Sequence, residues 1–301
     1  MKAKKIGRSA IKGVNSLVNF IVLTTIVLMT GFAGYALWDS NQIYAAADKV
    51  HYEVYKPTAE NEGKSFKELQ EINPDVFAWL SVYGTNIDYP VTQGQNNMKY
   101  LNTNPEGLHS LSGSIFLDYN NSKNFSDFNS ILYGHHMEKN TMFGEIGNFS
   151  EEKMFNSHKY GNLYFDGKDH GIEFFAFIHT SAYDNMIFSV NVKGNRQQAY
   201  LGALLAKAMY KRDVGVTTDD RIVLLSTCSS SSTNGRDILV GKITDEVYDN
   251  SYMNLETNDK RNQISHQIDL VKESSLFKLI LAALLIVVIA VVLVIYYRRK
   301  K

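Results

Sequence analysis

Two long apolar segments without a charged residue constrain this chain more than any other feature of its sequence. The first covers residues 17–38, and at a rise of about 1.5 Å per residue it spans roughly 33 Å, enough for the core of a bilayer. A cleaved signal peptide is the alternative, because the start is basic and Tyr44-Ala45-Ala46-Ala47 offers small residues. The segment exceeds the usual signal-peptide core of about 7–15 residues, so it favours an uncleaved membrane anchor.

The second apolar segment covers residues 279–297 and is followed by a basic cluster, Arg298-Arg299-Lys300-Lys301, that is typical of a stop-transfer signal. Both segments carry their basic flank on the terminal side. The positive-inside rule therefore predicts two cytoplasmic termini and an extracellular domain between two transmembrane helices. The predicted order is basic tail, transmembrane helix, linker, globular domain, juxtamembrane segment, transmembrane helix and basic tail, at 1–16, 17–38, 39–64, 65–247, 248–278, 279–297 and 298–301.

Charge is divided unevenly between the ends of the chain and the domain they frame. Lys+Arg and Asp+Glu are both 31, yet five basic residues and no acid precede residue 39, and the same holds after residue 277. The part between them therefore carries a net charge of −10, which argues against a nucleic-acid binder.

The 45% hydrophobic content excludes a disordered chain. The single cysteine excludes a disulfide framework and any multi-cysteine zinc or iron–sulfur site.

The pattern of the framed domain is mainly β. Ser65-Phe66-Lys67-Glu68 resembles a capping box and predicts a short helix that Asn73-Pro74 ends. Eight short runs rich in β-branched and aromatic residues follow, and they favour a closed barrel or a sandwich. These runs cover 76–82, 86–91, 114–118, 130–133, 161–165, 172–182, 221–227 and 238–244. An apolar stripe at helical spacing over 196–211 predicts a helix between the sixth and seventh strands.

Cys228 directly follows the seventh predicted strand, an informative place for the one cysteine of an exported domain. A Ser-rich loop follows, and Arg236 opens the next strand, so a hairpin would place Cys228 and Arg236 opposite each other. A guanidinium in that position favours thiolate over thiol and offers donors to a developing oxyanion. A buried, inert cysteine is the alternative.

A thiolate nucleophile needs a proton shuttle, and His135 is the first candidate among eight histidines. It follows a predicted strand and Gly134, whereas His136 would point to the opposite side of a continuing strand and ranks second. His179 lies in an apolar strand and is predicted to be a hydrogen-bonded core or edge residue. Four histidines among polar residues are predicted to be solvated: His51, His158, His170 and His266.

Together these residues resemble the class B sortases over most of residues 66–246. The resemblance rests on Ser226-Thr227-Cys228 at a strand end, on Arg236 after the loop, and on Tyr133-Gly134-His135 upstream. Further similar stretches are Ile72-Asn73-Pro74-Asp75-Val76, Gly84-Thr85-Asn86-Ile87-Asp88-Tyr89-Pro90-Val91 and Gly113-Ser114-Ile115-Phe116-Leu117-Asp118. The resemblance implies an eight-stranded sortase-type β-barrel with N-terminal helices and a helix between strands six and seven, flanked here by two predicted transmembrane helices.

The activity implied by the resemblance is that of a cysteine transpeptidase on the surface of a Gram-positive bacterium. Cys228 would attack the carbonyl after the Thr of a C-terminal sorting signal, and His135 would protonate the leaving amine. Arg236 would steady the oxyanion, and the hydroxyls of Ser226 and Thr227 would assist there. This mechanism requires no cofactor and no metal.

The second apolar segment departs from the usual class B pattern, in which only an N-terminal anchor is present. A C-terminal membrane helix is more typical of pilin-polymerising class C sortases, although no acidic-aromatic lid segment precedes this barrel. We therefore expect the enzyme to join pilin subunits through a pilin Lys. Attachment of a surface protein to a peptidoglycan cross-bridge amine is the alternative. Two further alternatives belong to other functional classes. One is a non-catalytic membrane-anchored scaffold, and the other is a cysteine protease that prefers water to an amine acceptor.

Overall fold

A computed structural model describes residues 2–58 and 64–252. The chain begins with one long helix, α1, Lys2–Ala47, followed by short 3-10 turns at Lys49–His51 and Glu53–Tyr55 and by α2, Lys64–Ile72. Within the described ranges, α1 is the one helix long and apolar enough to cross a membrane, over Ile11–Ala47, in which an 18-residue window has a mean hydropathy of 2.0. The predicted second transmembrane segment, 279–297, lies outside the described residues.

The first helix continues past the end of the predicted apolar segment at residue 38. Residues 39–47, expected to begin a linker, extend α1 by more than two turns. The cause is local, since no proline or glycine interrupts this stretch and three alanines, which are the strongest helix formers, close it.

Nine strands and two further helices make up the body of the protein. The helices are α3, Glu152–Ser157, and α4, Asn195–Lys207. The strands are β1 Val76–Val82, β2 Asp88–Thr92, β3 Ile115–Leu117, β4 Asn129–Tyr133, β5 Tyr160–Phe165, β6 Lys168–Ser181, β7 Ala208–Lys211, β8 Arg221–Cys228 and β9 Gly235–Thr244.

Eight of the strands close into a barrel. Their order is β5-β1-β2-β3-β4-β8-β9-β6, and β5 pairs with β6 to complete the ring. The pairs β2–β3 and β4–β8 are parallel, and the other pairs in the ring are antiparallel. The predicted eight-stranded barrel is confirmed, and closure leaves none of its eight strands with a full-length open edge.

The ninth strand, β7, corrects the predicted helix at 196–211. That helix ends at Lys207, and Ala208–Lys211 pairs with the central part of β6 instead. Tyr210 stacks on Phe155 at a centroid distance of 5.8 Å, a contact that holds the segment in an extended conformation. Tertiary packing therefore overrides the helical pattern over its last turn.

Side chains of the barrel strands alternate between two packed faces. Val223, Leu225 and Leu239 belong to a large cluster drawn from strands all around the ring, which is the barrel interior. The neighbours of these residues, such as Leu224 and Ile238, belong to a second cluster that α4 covers from outside. This alternation decides on which face each residue of the candidate site lies.

His170, predicted to be solvated, is buried instead. Only 2% of the residue is exposed, and its ring stacks on Phe165 with centroids 3.8 Å apart. Its polar sequence neighbours lie at the β5–β6 turn, but the antiparallel pairing of these strands turns the imidazole onto the barrel. Burial lowers the pKa of His170 below its ordinary value of 6.5, and the charges of Lys168 and Arg221 act in the same direction.

Candidate active site

The β8–β9 hairpin brings Cys228 and Arg236 together. The two residues are directly paired in the antiparallel register, at the last position of β8 and the second of β9. The loop between them is closed by a hydrogen bond from the Ser229 amide to the Gly235 carbonyl, 2.9 Å. Cys228 is exposed, whereas the residues before it in β8 are buried. The hairpin therefore presents the thiol at the rim of the barrel beside a guanidinium.

His135 reaches the same rim because β4 runs parallel to β8. Tyr133 and Ser226 are the last paired residues of these two strands, and the Gly134 amide donates to the Ser226 carbonyl at 3.2 Å as part of that pairing. His135 and Cys228 each lie two residues beyond this position. Neighbouring strands are about 4.8 Å apart, so both residues lie at the same rim of the barrel, at the ends of two adjacent strands.

The alternation of the strands gives Cys228 and Arg236 a common face. The two residues are directly paired, and Ile238, two residues after Arg236 on β9, packs against the outer cluster beneath α4. His135 follows the end of the neighbouring strand β4 at the same rim, two residues after Tyr133, which also packs against that cluster.

His136, the second-ranked histidine, belongs to the opposite face. Its backbone forms an isolated bridge with Met142, and its ring atom Nδ1 is buried without a hydrogen-bond partner among the described residues. The ranking of His135 above His136 as the proton shuttle stays a prediction.

A backbone carbonyl orients the His135 ring. Nε2 lies 2.7 Å from the Leu101 carbonyl oxygen, a distance that requires a proton on Nε2, because a carbonyl can only accept. In the neutral ring Nδ1 is then the free base, and in the imidazolium it carries the transferable proton. Sequence reasoning missed Leu101, because a main-chain acceptor leaves no signature in the identity of its residue.

Arg236 is half-buried and partly held by its own backbone. Its Nη1 donates to the Gly235 carbonyl at 2.9 Å, which leaves the other guanidinium donors for a ligand. Its charge also reaches Tyr133, whose hydroxyl donates to Asp118 at 3.2 Å. Burial and the Asp118 carboxylate raise the pKa of Tyr133, and the nearby guanidinium opposes that rise.

Ser226 and Thr227 are buried, whereas a hydroxyl that donates directly to an oxyanion must reach the substrate. Both residues are 2% exposed. The Thr227 hydroxyl donates its one proton to the Gly134 carbonyl at 2.9 Å, so in this conformation it ties β8 to the segment before His135. Ser226 Oγ is buried and has no hydrogen-bond partner within the described part of the chain.

His179 forms a second polar pair one row deeper in the sheet. Its Nδ1 lies 2.8 Å from an oxygen of Asp237, which in turn is paired in register with Thr227. This hydrogen bond agrees with the prediction that His179 is a satisfied structural residue.

A closed β-barrel with a cysteine, a histidine and an arginine at one rim offers the groups that a cysteine enzyme of acyl transfer needs. None of the known protein-family models matches the chain. The chain is 36% identical over 182 residues to Sortase B of Staphylococcus aureus (strain NCTC 8325 / PS 47), a match that covers 59% of this chain and 74% of that protein. The chain belongs to the class B sortases, and it is a cysteine transpeptidase.

Two solved structures of pilus-associated enzymes are similar over the same part of the chain. The crystal structure of sortase B from the type II pilus of Streptococcus pneumoniae has 46% identity and a TM-score of 0.54, covering 60% of this chain and 99% of that one. A Streptococcus pyogenes class B sortase involved in pilus biogenesis has 42% identity and a TM-score of 0.56, with coverage of 60% and 99%.

Proposed function

We propose that this sortase joins pilin subunits, and that Cys228, His135 and Arg236 carry out the reaction. The observation that supports the residue assignment most strongly is that Cys228 and Arg236 are paired on β8 and β9, while His135 follows β4, the other neighbour of β8, at the same rim of the barrel. The pilin assignment is supported by the similarity to two sortases of pilus systems. The predicted C-terminal anchor supports it independently.

In the first half of the proposed reaction, the Cys228 sulfur attacks the carbonyl carbon after the Thr of a sorting signal. A carbon–sulfur bond forms, and the developing oxyanion accepts hydrogen bonds from Arg236, whose fork of donors suits an oxyanion. The carbon–nitrogen bond then breaks as His135 gives its proton to the leaving amine. The product of this half-reaction is a thioacyl enzyme.

In the second half, the amine of a pilin Lys attacks the thioacyl carbon. His135, now neutral, accepts the proton of that amine, and the Cys228 sulfur leaves as thiolate. The enzyme returns to its starting state and an amide bond has been exchanged for an amide bond, so no cofactor takes part. Water competes with the amine for the same intermediate, and transpeptidation requires that the amine react faster.

The proposed location is the outer face of the cell membrane, with the partners being sorting-signal proteins on that side. The apolar helix α1 serves as the N-terminal anchor, and the basic residues ahead of it favour a cytoplasmic N-terminus. The barrel is then extracellular, and the segment at 279–297 returns the chain to the cytoplasm. The net charge of −10 over residues 39–277 agrees with a domain that does not bind the anionic membrane surface through broad electrostatics.

The test is mass spectrometry of the full chain in detergent micelles. The chain is incubated with a panel of peptides that carry Thr at the cleaved position, and then with a lysine-containing pilin-like peptide, triglycine or water alone. We expect an acyl adduct on Cys228 that the lysine peptide resolves fastest. Cys228→Ala should form no adduct, and His135→Ala and Arg236→Lys should form it slowly.

Each alternative has its own outcome in this experiment. Faster resolution by triglycine would replace pilin joining with attachment to a cell-wall cross-bridge. Faster resolution by water would indicate a protease. A Cys228 that stays unmodified in folded protein across the whole panel would overturn the assignment and favour a scaffold.

A further inference from the structure

The end of α1 lies against the segment that follows His135. Lys139 donates from Nζ to the Asn41 side chain at 3.1 Å, and its ammonium lies 4.5 Å from the centre of the Tyr44 ring. The Tyr44 hydroxyl in turn donates to Glu138 at 3.3 Å. An ion–aromatic contact and two hydrogen bonds therefore connect the apolar N-terminal helix with residues three to four positions after the candidate proton shuttle.

The same segment has an unusual backbone. Lys139, Asn140 and Met142 adopt positive φ angles of 57°, 58° and 52°. Residues with a Cβ rarely occupy this left-handed region, and three within four positions persist only when surrounding contacts hold them. The contacts with α1 are among those that do so, which makes the shape of this segment dependent on the helix.

Tyr89 supplies a buried link between the two. Its hydroxyl donates to the carbonyl of Ala47, the last residue of α1, at 3.0 Å and accepts from the Met142 amide at 3.0 Å. Tyr89 is 1% exposed, so neither partner can exchange this bond for one to bulk water. One oxygen atom thus joins the end of α1 to the end of the strained segment.

From Met142, hydrogen bonds lead back to His135. Met142 forms an isolated bridge with His136, and the amide of the next residue, Phe143, donates to the His135 carbonyl at 3.1 Å. The backbone of His135 is therefore held from this side, while Leu101 holds its ring from the other. Movement of the strained segment would turn the imidazole relative to Cys228.

We propose that Tyr89 is a positioning residue for His135, acting through residues 138–142 and the end of α1. The inference rests on the role of His135 in the proposed function. It makes the anchor helix part of the scaffold of the active site and not merely a tether. Tyr89 does not touch the reacting atoms; it sets the place from which His135 reaches them.

The experiment uses the full chain in nanodiscs and the variant Tyr89→Phe, which keeps the buried ring and removes the shared hydroxyl. We expect kcat for peptide cleavage to fall by about 10-fold or more while KM stays within about 2-fold, because misplacement of a proton donor affects the chemical step. The second readout is the rate of Cys228 alkylation by iodoacetamide against pH. Its profile should shift, since the thiolate fraction depends on the neighbouring imidazole.

Two surface variants keep the test independent of folding. Tyr44→Ala and Lys139→Ala remove the two partners of the exposed contact, and their effects on kcat should be less than additive when combined. Tyr164→Phe on β5, across the barrel from the site, is the matched control for loss of a tyrosine hydroxyl. Lys153→Ala on α3 is the control for loss of an exposed lysine, and both controls should behave as wild type.

The outcomes separate this inference from the proposed function. Wild-type kcat and an unshifted alkylation profile in Tyr89→Phe, together with an inactive His135→Ala, would overturn the positioning role and leave the proposed function intact. Full activity of His135→Ala would overturn the proposed function itself. A loss of thermal stability in Tyr89→Phe without a change in kcat or in the alkylation profile would mean that the hydroxyl is structural, which also rejects the inference.

Discussion

At the scale of single residues, substitutions of Thr227 test whether the hydroxyl next to Cys228 has a structural or a chemical role. Thr227→Val keeps the shape and leaves the half-buried Gly134 carbonyl without this partner, so we expect a loss of about 1 kcal/mol in the free energy of unfolding, with a fall in kcat. Thr227→Ser should restore both. Urea denaturation and steady-state kinetics measure the two effects. A fall in kcat without a loss of stability would instead assign the hydroxyl to the oxyanion, as predicted from sequence.

His170 makes folding stability depend on pH. Its pKa is lowered in the folded state, so below the ordinary value of 6.5 the unfolded chain takes up a proton that the folded chain resists. The contribution of His170 to stability is therefore complete above pH 6.5 and is lost as the pH falls below it. We expect the drop in Tm between pH 7 and pH 5, measured by calorimetry, to be smaller in His170→Phe, which keeps the ring stack on Phe165.

An unchanged slope in His170→Phe would show that Asp245, 4.0 Å from the imidazole, compensates the burial.

The sequence predicts the surroundings of a residue well only where the partners of that residue are close to it in the sequence. Cys228 and Arg236 are joined by one short hairpin, so the spacing alone placed them opposite each other. The link between β4 and β8 spans 93 positions at Gly134 and Thr227, and strand patterns carry no information about which strands become neighbours. His170 was predicted wrongly for the same reason, because its polar sequence neighbours say nothing about Phe165 across the β5–β6 turn.

At the scale of elements, the predicted bounds agree best with the observed ones where turn residues flank the element, as they do at β1 and at the end of β8. Residues 76–82 match β1 at both ends, and 221–227 falls short of β8 by one residue. Strands are bounded by turn residues that the sequence shows directly. The end of α1 was missed because helical propensity continues past residue 38. The end of α4 was missed for the opposite reason, since the helix stops at Lys207 and Ala208–Lys211 pairs with β6 instead.

Gly202 offers a direct measure of helix propensity in α4. It lies in the interior of the helix, is exposed, and a Cβ built there would meet no atom within 4 Å. Gly202→Ala should therefore raise the free energy of unfolding by about 0.5–1 kcal/mol, because alanine reduces the entropy lost on folding. Chemical denaturation measures the change, and kcat should stay at its wild-type value. A destabilised variant would mean that α4 needs an open surface at this position.

At the scale of the whole molecule, the single cysteine reports the orientation of the chain in the membrane. Cys228 is exposed at the barrel rim, so a membrane-impermeant maleimide should label it in intact cells if the barrel is extracellular. In a Cys228→Ala background, Ser9→Cys places a thiol ahead of the first apolar segment and should be labelled only after lysis. Labelling of Ser9→Cys in intact cells, or of Cys228 only after lysis, would reverse the proposed topology.

The strand order of the barrel has a consequence for when the enzyme becomes reactive. β8 pairs between β4 and β9, so no fragment that lacks β8 or β9 contains the thiol together with its imidazole and guanidinium. During synthesis and export His135 emerges first, Cys228 much later and Arg236 last. Until the final strands pair, Cys228 has neither Arg236 nor the segment before His135 beside it. Under the proposed function, pairing of the last strands therefore acts as the activation step, and a half-exported chain does not capture a passing substrate.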